Sequence, residues 1–245
     1  MIGYKNIGET TLEFVTRIRK EENIPSTVKV GICGKLDPQA YGQMRILVDK
    51  DTKLMDHYQK SSKTYEFDIV VGVSTDSDDI MGTVESICIP GPPMSDGIKN
   101  YMKNTIFNIK TQKFHHISAM KIRKDDGPKR PLWHWYKLGI LKESDIPSKR
   151  VNVFSLECIG ESTLGIDDYK SEVYSRLHSV TDKTRWDIAN IWESWDNLLL
   201  GSRLIRLSYR INVSSGFYIR MIAKDIKRTL NIPVHIFNIH RIGME

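Results

Sequence analysis

Cysteine is scarce in this chain, with three residues in 245. Cys33, Cys88 and Cys158 lie far apart and are odd in number. That excludes a disulfide framework and a C-x-x-C zinc site, and it points to a reducing, intracellular compartment. The seven histidines show neither H-x-x-x-H nor H-E-x-x-H spacing, so no zinc centre is expected. No apolar run is long enough to cross a bilayer, and the start carries no signal-peptide pattern. There is no phosphate-cradling glycine loop, no internal repeat and no low-complexity tract. The acidic loop Asp76, Asp78, Asp79 fails as a calcium loop, because Met81 and Ile87 stand where Gly and Glu are required. It reads as a structural turn, and no metal or organic cofactor is implied.

What is present is a hydrophobic content of 40%, enough for a real core, and a net charge of +6. Such a charge favours a polyanionic partner. The basic residues cluster. Lys121-Ile122-Arg123-Lys124 and Lys129-Arg130 bracket the turn signal Asp125-Asp126-Gly127-Pro128, with Trp133, Trp135 and Tyr136 just beyond. Lys224, Lys227 and Arg228 lie on a predicted helix. Cations neutralise phosphates and aromatic faces stack on exposed bases, so RNA contact is expected from Lys121, Lys124, Lys129 and Arg130.

Periodicity is mixed. Leu12, Val15 and Ile18 recur at helical spacing behind Thr10 and Thr11, which suit an N-cap. Tyr65, Phe67, Ile69 and Val71 alternate, as in a strand with one buried face. Val151, Val153 and Ser155 begin another strand, and Ile205 to Val213 alternate as a long one. Ser214-Ser215-Gly216 breaks it, and Ile219, Ile222, Ala223, Ile226 and Leu230 then form a helical stripe. In the charged segment 160–202, Trp186, Ala189 and Trp192 with Leu198 and Leu199 suggest one or two amphipathic helices packed on the sheet.

The densest local signal is Val30-Gly31-Ile32-Cys33-Gly34-Lys35-Leu36-Asp37-Pro38-Gln39-Ala40-Tyr41-Gly42. One carboxylate sits between an apolar residue and a proline, with glycines on both sides. By residue type this is either a turn in which Asp37 bonds its own backbone or a presented nucleophile or base. The segment resembles G-x-x-G-x-L-D-P-x-A-x-G of the TruB family of RNA pseudouridine synthases. Further matches follow in the family's order. Asp51-Thr52-Lys53 resembles x-A-T-K, and Lys63-Thr64-Tyr65 resembles the basic-x-Tyr element. Gly72 to Gly82 resembles G-x-x-T-D-T-x-D-x-x-G. Gln112, Ser118, Ala119 and Lys121 keep part of Q-x-P-P-x-Y-S-A-x-K, whose paired prolines are Phe114 and His115 here. Leu132 to Gly139 fits L-Y-E-Y-A-R-x-G loosely. Ser214-Ser215-Gly216-Phe217-Tyr218-Ile219-Arg220 resembles S-S-G-T-Y-I-R, and His235 to Arg241 loosely resembles H-x-x-x-L-x-R. The family's G-H-x-G histidine is Ile32.

The resemblance implies an α+β fold, a mixed, mostly antiparallel sheet flanked by helices, in a single catalytic domain over 1–245 with an insertion at about 160–202. It implies that Asp37 is the catalytic aspartate, that Tyr65 stacks on the target base and that Arg220 pairs with Asp37. It places substrate contacts at Lys53, Lys63 and Tyr218, and a base-pocket wall at Ile239. The implied reaction turns an RNA uridine into pseudouridine, with the T-loop uridine at position 55 of tRNA as substrate. The RNA partner is thus the tRNA T arm; no membrane, obligate protein partner or appended PUA-type domain is expected, and the chain is read as a monomer. The alternatives are a synthase acting on another RNA, including a guide-directed one, and a non-catalytic RNA-binding or tRNA-folding module.

Overall fold

The computed structural model describes residues 1–124, 127–183, 186–198 and 203–245. Asp125 and Asp126 of the turn signal, and Leu199 of the predicted helical stripe, lie outside the described residues.

The first helix, Thr11–Glu21, starts where its sequence dictates. Thr10 caps it, accepting the Glu13 N–H, while the Glu13 carboxylate accepts the Thr10 N–H. This reciprocal box satisfies two otherwise orphaned donors. Of the expected stripe, Ile18 is buried and Val15 packs partly against the core, joined by Phe14, whereas Leu12 is 75% exposed, because the i, i+4 pair Phe14 and Ile18 centres the packed face and Leu12 falls on the outer arc.

Among the described residues the main sheet runs Ile2–Lys5, Tyr41–Val48, Val234–Met244, Lys63–Val71, Arg203–Val213, Val153–Gly165, with Val30–Cys33 paired to Tyr41–Val48. Tyr41–Val48 and Val234–Met244 pair in parallel through His240 and Arg241, and the other neighbours are antiparallel. The α+β class with a mostly antiparallel sheet is therefore as the sequence implies. The parallel junction needs Gly42. Its φ is +112°, and a Cβ there would lie 2.2 Å from the Arg241 carbonyl oxygen.

The strand Lys63–Val71 does not have a single buried face. Tyr65, Phe67, Ile69 and Val71 join one core with Phe14, Ile18, Ile222 and Ile226. Val70, on the opposite face, joins a second core with Leu204, Phe237, Tyr169, Val173, Leu177, Ile191 and Trp195. Segment 160–202 explains the difference. The strand Val153–Gly165 runs into it, and the helices Ile166–His178 and Ile188–Asp196 then cover the far side of the sheet. Each fully buried aliphatic side chain contributes roughly 1.5–3 kcal/mol, so this second core matters to the sheet. Of the expected stripe, Leu198 is buried and Trp186 and Trp192 pack partly against this second core, but the helix Ile188–Asp196 turns Ile188, Ile191 and Trp195 inward and leaves Ala189 exposed.

The helix Arg220–Leu230 follows the strand Arg203–Val213 through a turn at Gly216, where φ is +83°. Its stripe of Ile222, Ala223 and Ile226 packs into the first core, as expected. That packing forces the first residue, Arg220, below the surface, leaving it 4% exposed.

Candidate active site

The loop carrying Asp37 is fastened from several directions. Asp37 starts a turn in which its carbonyl accepts the Ala40 N–H at 3.0 Å. Beneath the turn lies Lys5, fully buried, whose ammonium donates to the carbonyls of Asn6 at 3.1 Å, Pro38 at 3.1 Å and Ala40 at 2.7 Å. Burial lowers its pKa to about 8, against the opposing pull of Glu9 and Asp37. The Gly8 N–H donates to the Pro38 carbonyl at 2.9 Å. The Gln39 amide reaches the Arg176 carbonyl of the helix Ile166–His178 at 2.8 Å, and Arg241 donates to the Gly34 carbonyl at 3.1 Å. Every hold is on the backbone or a neighbour. The Asp37 side chain itself stays 49% exposed.

Its partner is Arg220. The Nη2 of Arg220 lies 2.8 Å from Asp37 Oδ2 and also donates to the Ile117 carbonyl at 3.0 Å. The Nη1 donates to the Ser77 carbonyl at 3.1 Å and faces His115 Nδ1 at 3.3 Å. The Nε lies 3.4 Å from Asp79 Oδ2. A buried guanidinium needs this density of acceptors, because its charge cannot be shed.

The acidic loop thus does more than turn the chain. Asp79 is buried and accepts from Ser77 Oγ at 2.6 Å and from the Met81 N–H at 2.9 Å. Burial raises its pKa to about 6, opposed by Arg220. Asp78 is buried too, with Lys227 at 2.6 Å and His115 Nε2 at 2.9 Å. The reading of this loop as a plain structural turn is corrected: helix Arg220–Leu230 brings two cations, Arg220 and Lys227, onto it. Asp76 does serve the turn, accepting the Thr83 N–H.

The other expected residues divide. Tyr65 is buried in the first core with Leu36 and Ala40, and Ile239 packs against that core. Ile239 follows Asn238, whose φ of +59° marks an irregularity in the strand Val234–Met244. Tyr218 is bound through its backbone to both ends of the Gln112 amide. Burial, then the charge of Asp37, raises its hydroxyl pKa. Lys53 is exposed on the short helical segment Asp49–Leu54. Lys63 is not free for a substrate contact. It is 5% exposed, and its ammonium donates to the carbonyls of Gln59 and Ser61. Burial and then Arg241 lower its pKa to about 8.

Lys121 and Arg130 stand exposed on a two-stranded hairpin, with Lys129 exposed beside it. The hairpin lies a few residues beyond Ile117, whose carbonyl Arg220 holds. Lys124 does not share their freedom, because it is tied to Asp145 at 2.6 Å and to the Ile140 carbonyl. From the sequence, Lys5, Asp78, Asp79, His115 and Lys227 were given no place in the site, although Asp79 stands as the last aspartate of the matched G-x-x-T-D-T-x-D-x-x-G pattern, Lys5 opens a segment, Lys5 to Thr11, that resembles the family's K-P-x-G-x-T-S, and Lys227 belongs to the basic helix cluster.

Asp78, His115 and His116 present three ligand-type atoms within 4.8 Å of one another. Their donor set does not fit a metal. His115 Nδ1 accepts the Ile117 N–H, His116 Nε2 meets the Asp76 carbonyl, and Lys224 and Lys227 stand on His116 and Asp78. Those cations oppose a metal ion at the same place.

A family model described as TruB family pseudouridylate synthase (N terminal domain) matches residues 22–169. The chain is 26% identical to tRNA pseudouridine synthase B of Bacillus licheniformis over 97% of its length, and 25% identical to that of Halalkalibacterium halodurans over 96%. It spans about three fifths of the length of these curated relatives, 62% in both cases. It is also similar to a solved archaeal box H/ACA sRNP Nop10-Cbf5 complex, with 16% identity, 98% of this chain and 46% of that chain covered, and a TM-score of 0.48.

Proposed function

The chain belongs to the TruB family of pseudouridylate synthases, and from that premise we propose that it isomerises a uridine of RNA to pseudouridine. The proposed substrate is the T-loop uridine at position 55 of tRNA. The observation that carries this reading is the 2.8 Å contact between a half-exposed Asp37 and a buried Arg220. One carboxylate is open to a substrate and is oriented from below by a planar fork.

The target base leaves its stack, which costs a few kcal/mol and is cheapest in a loop. Tyr65 stacks on the flipped uracil and Ile239 walls the base pocket. Asp37 starts cleavage of the glycosidic bond, by attack on the sugar or by removing a sugar proton. The detached uracil turns, and its carbon 5 joins the sugar where nitrogen 1 had been. Asp37 is released from the sugar or returns the sugar proton, carbon 5 loses its proton, and nitrogen 1 gains one, so that product is an isomer of substrate. Arg220 holds the carboxylate in register throughout. Lys121, Lys129 and Arg130 meet phosphates of the T arm, with Lys53 and Tyr218 as further contacts. Residues 1–245 act as one catalytic domain carrying 160–202 as an insertion, monomeric and intracellular. Among the described residues no helix is long and apolar enough to cross a membrane.

The test is to incubate the purified chain with unmodified tRNA and map pseudouridine chemically. Asp37→Asn should abolish product while tRNA binding stays within a few-fold, since it removes a nucleophile or base but little volume. Turnover by Asp37→Asn near the wild-type rate would refute the mechanism. Binding without turnover by the wild type would make the chain an RNA-binding module instead.

A further inference from the structure

Resting on the synthase reading, we propose that His115, held from behind by Asp78, is a positioning residue that aims the Arg220 fork at Asp37. His115 is fully buried between the acidic loop and the start of the helix Arg220–Leu230. Its tautomer follows from its neighbours. The Ile117 N–H donates to Nδ1 at 3.1 Å, so Nδ1 carries the lone pair. Nε2 then carries the proton and donates to Asp78 Oδ2 at 2.9 Å. The other oxygen of Asp78 is held by Lys227 at 2.6 Å. The two links, Lys227 to Asp78 and Asp78 to His115, thus end on the Nδ1 lone pair, which the Ile117 N–H shares with Arg220 Nη1 at 3.3 Å.

The ring has to be neutral for this. Burial, then the Arg220 charge, hold its pKa well below the ordinary 6.5. A guanidinium is planar and rigid, so fixing Nη1 sets the direction of Nη2. Nη2 is the atom on Asp37. Without His115, Nη1 keeps only the Ser77 carbonyl, and the fork, still held by the Ile117 carbonyl on Nη2 and by Asp79 beside Nε, tilts into the vacated volume. The resembled pattern has a proline at position 115, which offers no such acceptor.

Three variants separate positioning from bulk packing. In His115→Asn, the amide oxygen can take over the role of Nδ1. In His115→Gln, the longer amide reaches toward Asp78 and leaves Arg220 without its acceptor. His115→Ala loses both contacts. At saturating tRNA, kcat of His115→Ala should fall by about 100-fold, the scale of a misplacement near 1 Å, with KM within about twofold. His115→Asn should recover most of the rate and His115→Gln little of it, whatever their order in Tm. A crystal structure of His115→Ala should show Arg220 Nη2 out of hydrogen-bond reach of Asp37. An unchanged kcat in His115→Ala, equal rates in the Asn and Gln variants, or an intact Arg220–Asp37 contact in that crystal would overturn the inference. A wild-type chain that makes no pseudouridine would defeat the synthase reading alone, and the crystal would still decide the geometry.

Discussion

Replacing Arg220 with methionine keeps most of the side-chain volume and removes the charge. The structure fixes what is then left behind. Asp79 stays buried without its cation, and the Ser77 and Ile117 carbonyls lose donors. Removing one member of a buried ion pair costs about 3–5 kcal/mol, a large part of a total stability of roughly 5–15 kcal/mol. The cost depends on pH with a definite sign. Asp79 already has a folded pKa of about 6, above its ordinary 3.8. Between those values the folded state binds the extra proton, so stability falls as pH rises through the window, by up to about 3 kcal/mol. Arg220 is what opposes that shift. In Arg220→Met the folded pKa moves higher still, and the loss relative to wild type should be full at pH 7.5 and partly recovered at pH 5. Urea unfolding at the two pH values reads this directly. Arg220→Met with Asp79→Asn should regain most of the stability at pH 7.5 and none of the activity. A deficit under about 1 kcal/mol at pH 7.5, or equal deficits at both pH values, would refute the reasoning.

Replacing Lys121, Lys129 and Arg130 together with alanine should flatten the log–log salt dependence of tRNA binding by about 2–3 units if each contacts a phosphate; an unchanged slope would leave the hairpin without a role in RNA binding. Lys124→Ala should instead lower Tm, because Lys124 is bound to Asp145. Lys5→Met should cost about 1–3 kcal/mol by leaving the Pro38 and Ala40 carbonyls unsatisfied, and should lower kcat more than it raises KM, as steady-state kinetics would show. The folded pKa of Lys5, about 8 against 10.5, makes wild-type stability rise with pH between those values, and urea melts of the variant should lack that rise. Activity should survive excess EDTA; loss restored by one added metal would reveal a site that the side chains do not suggest.

The sequence by itself determined the elements whose causes are local. Thr10 and Glu13 are three residues apart and cap their helix without outside help. The alternation at 205–213 and the break at Gly216 need only the two-residue period and a left-handed turn. Asp37 and Arg220 were picked out only by the motifs that resemble the TruB family; by residue type alone Asp37 is an ordinary turn aspartate and Arg220 a surface position that the apolar stripe skips. What the sequence could not decide was which charges would be buried and against whom. Asp78, Asp79 and Lys227 look like a solvated turn and a solvated helix face until Ile222, Ala223 and Ile226 dock and carry Arg220 and Lys227 inward onto the loop. Lys5 looks like a strand-end lysine until the turn at 37–40 folds over it. The phase of the helix Ile188–Asp196 and the second buried face of Lys63–Val71 settle each other, since neither apolar surface is complete without its partner. Tertiary packing alone makes those choices, because burial changes the energetics of a charge far more than any sequence neighbour does.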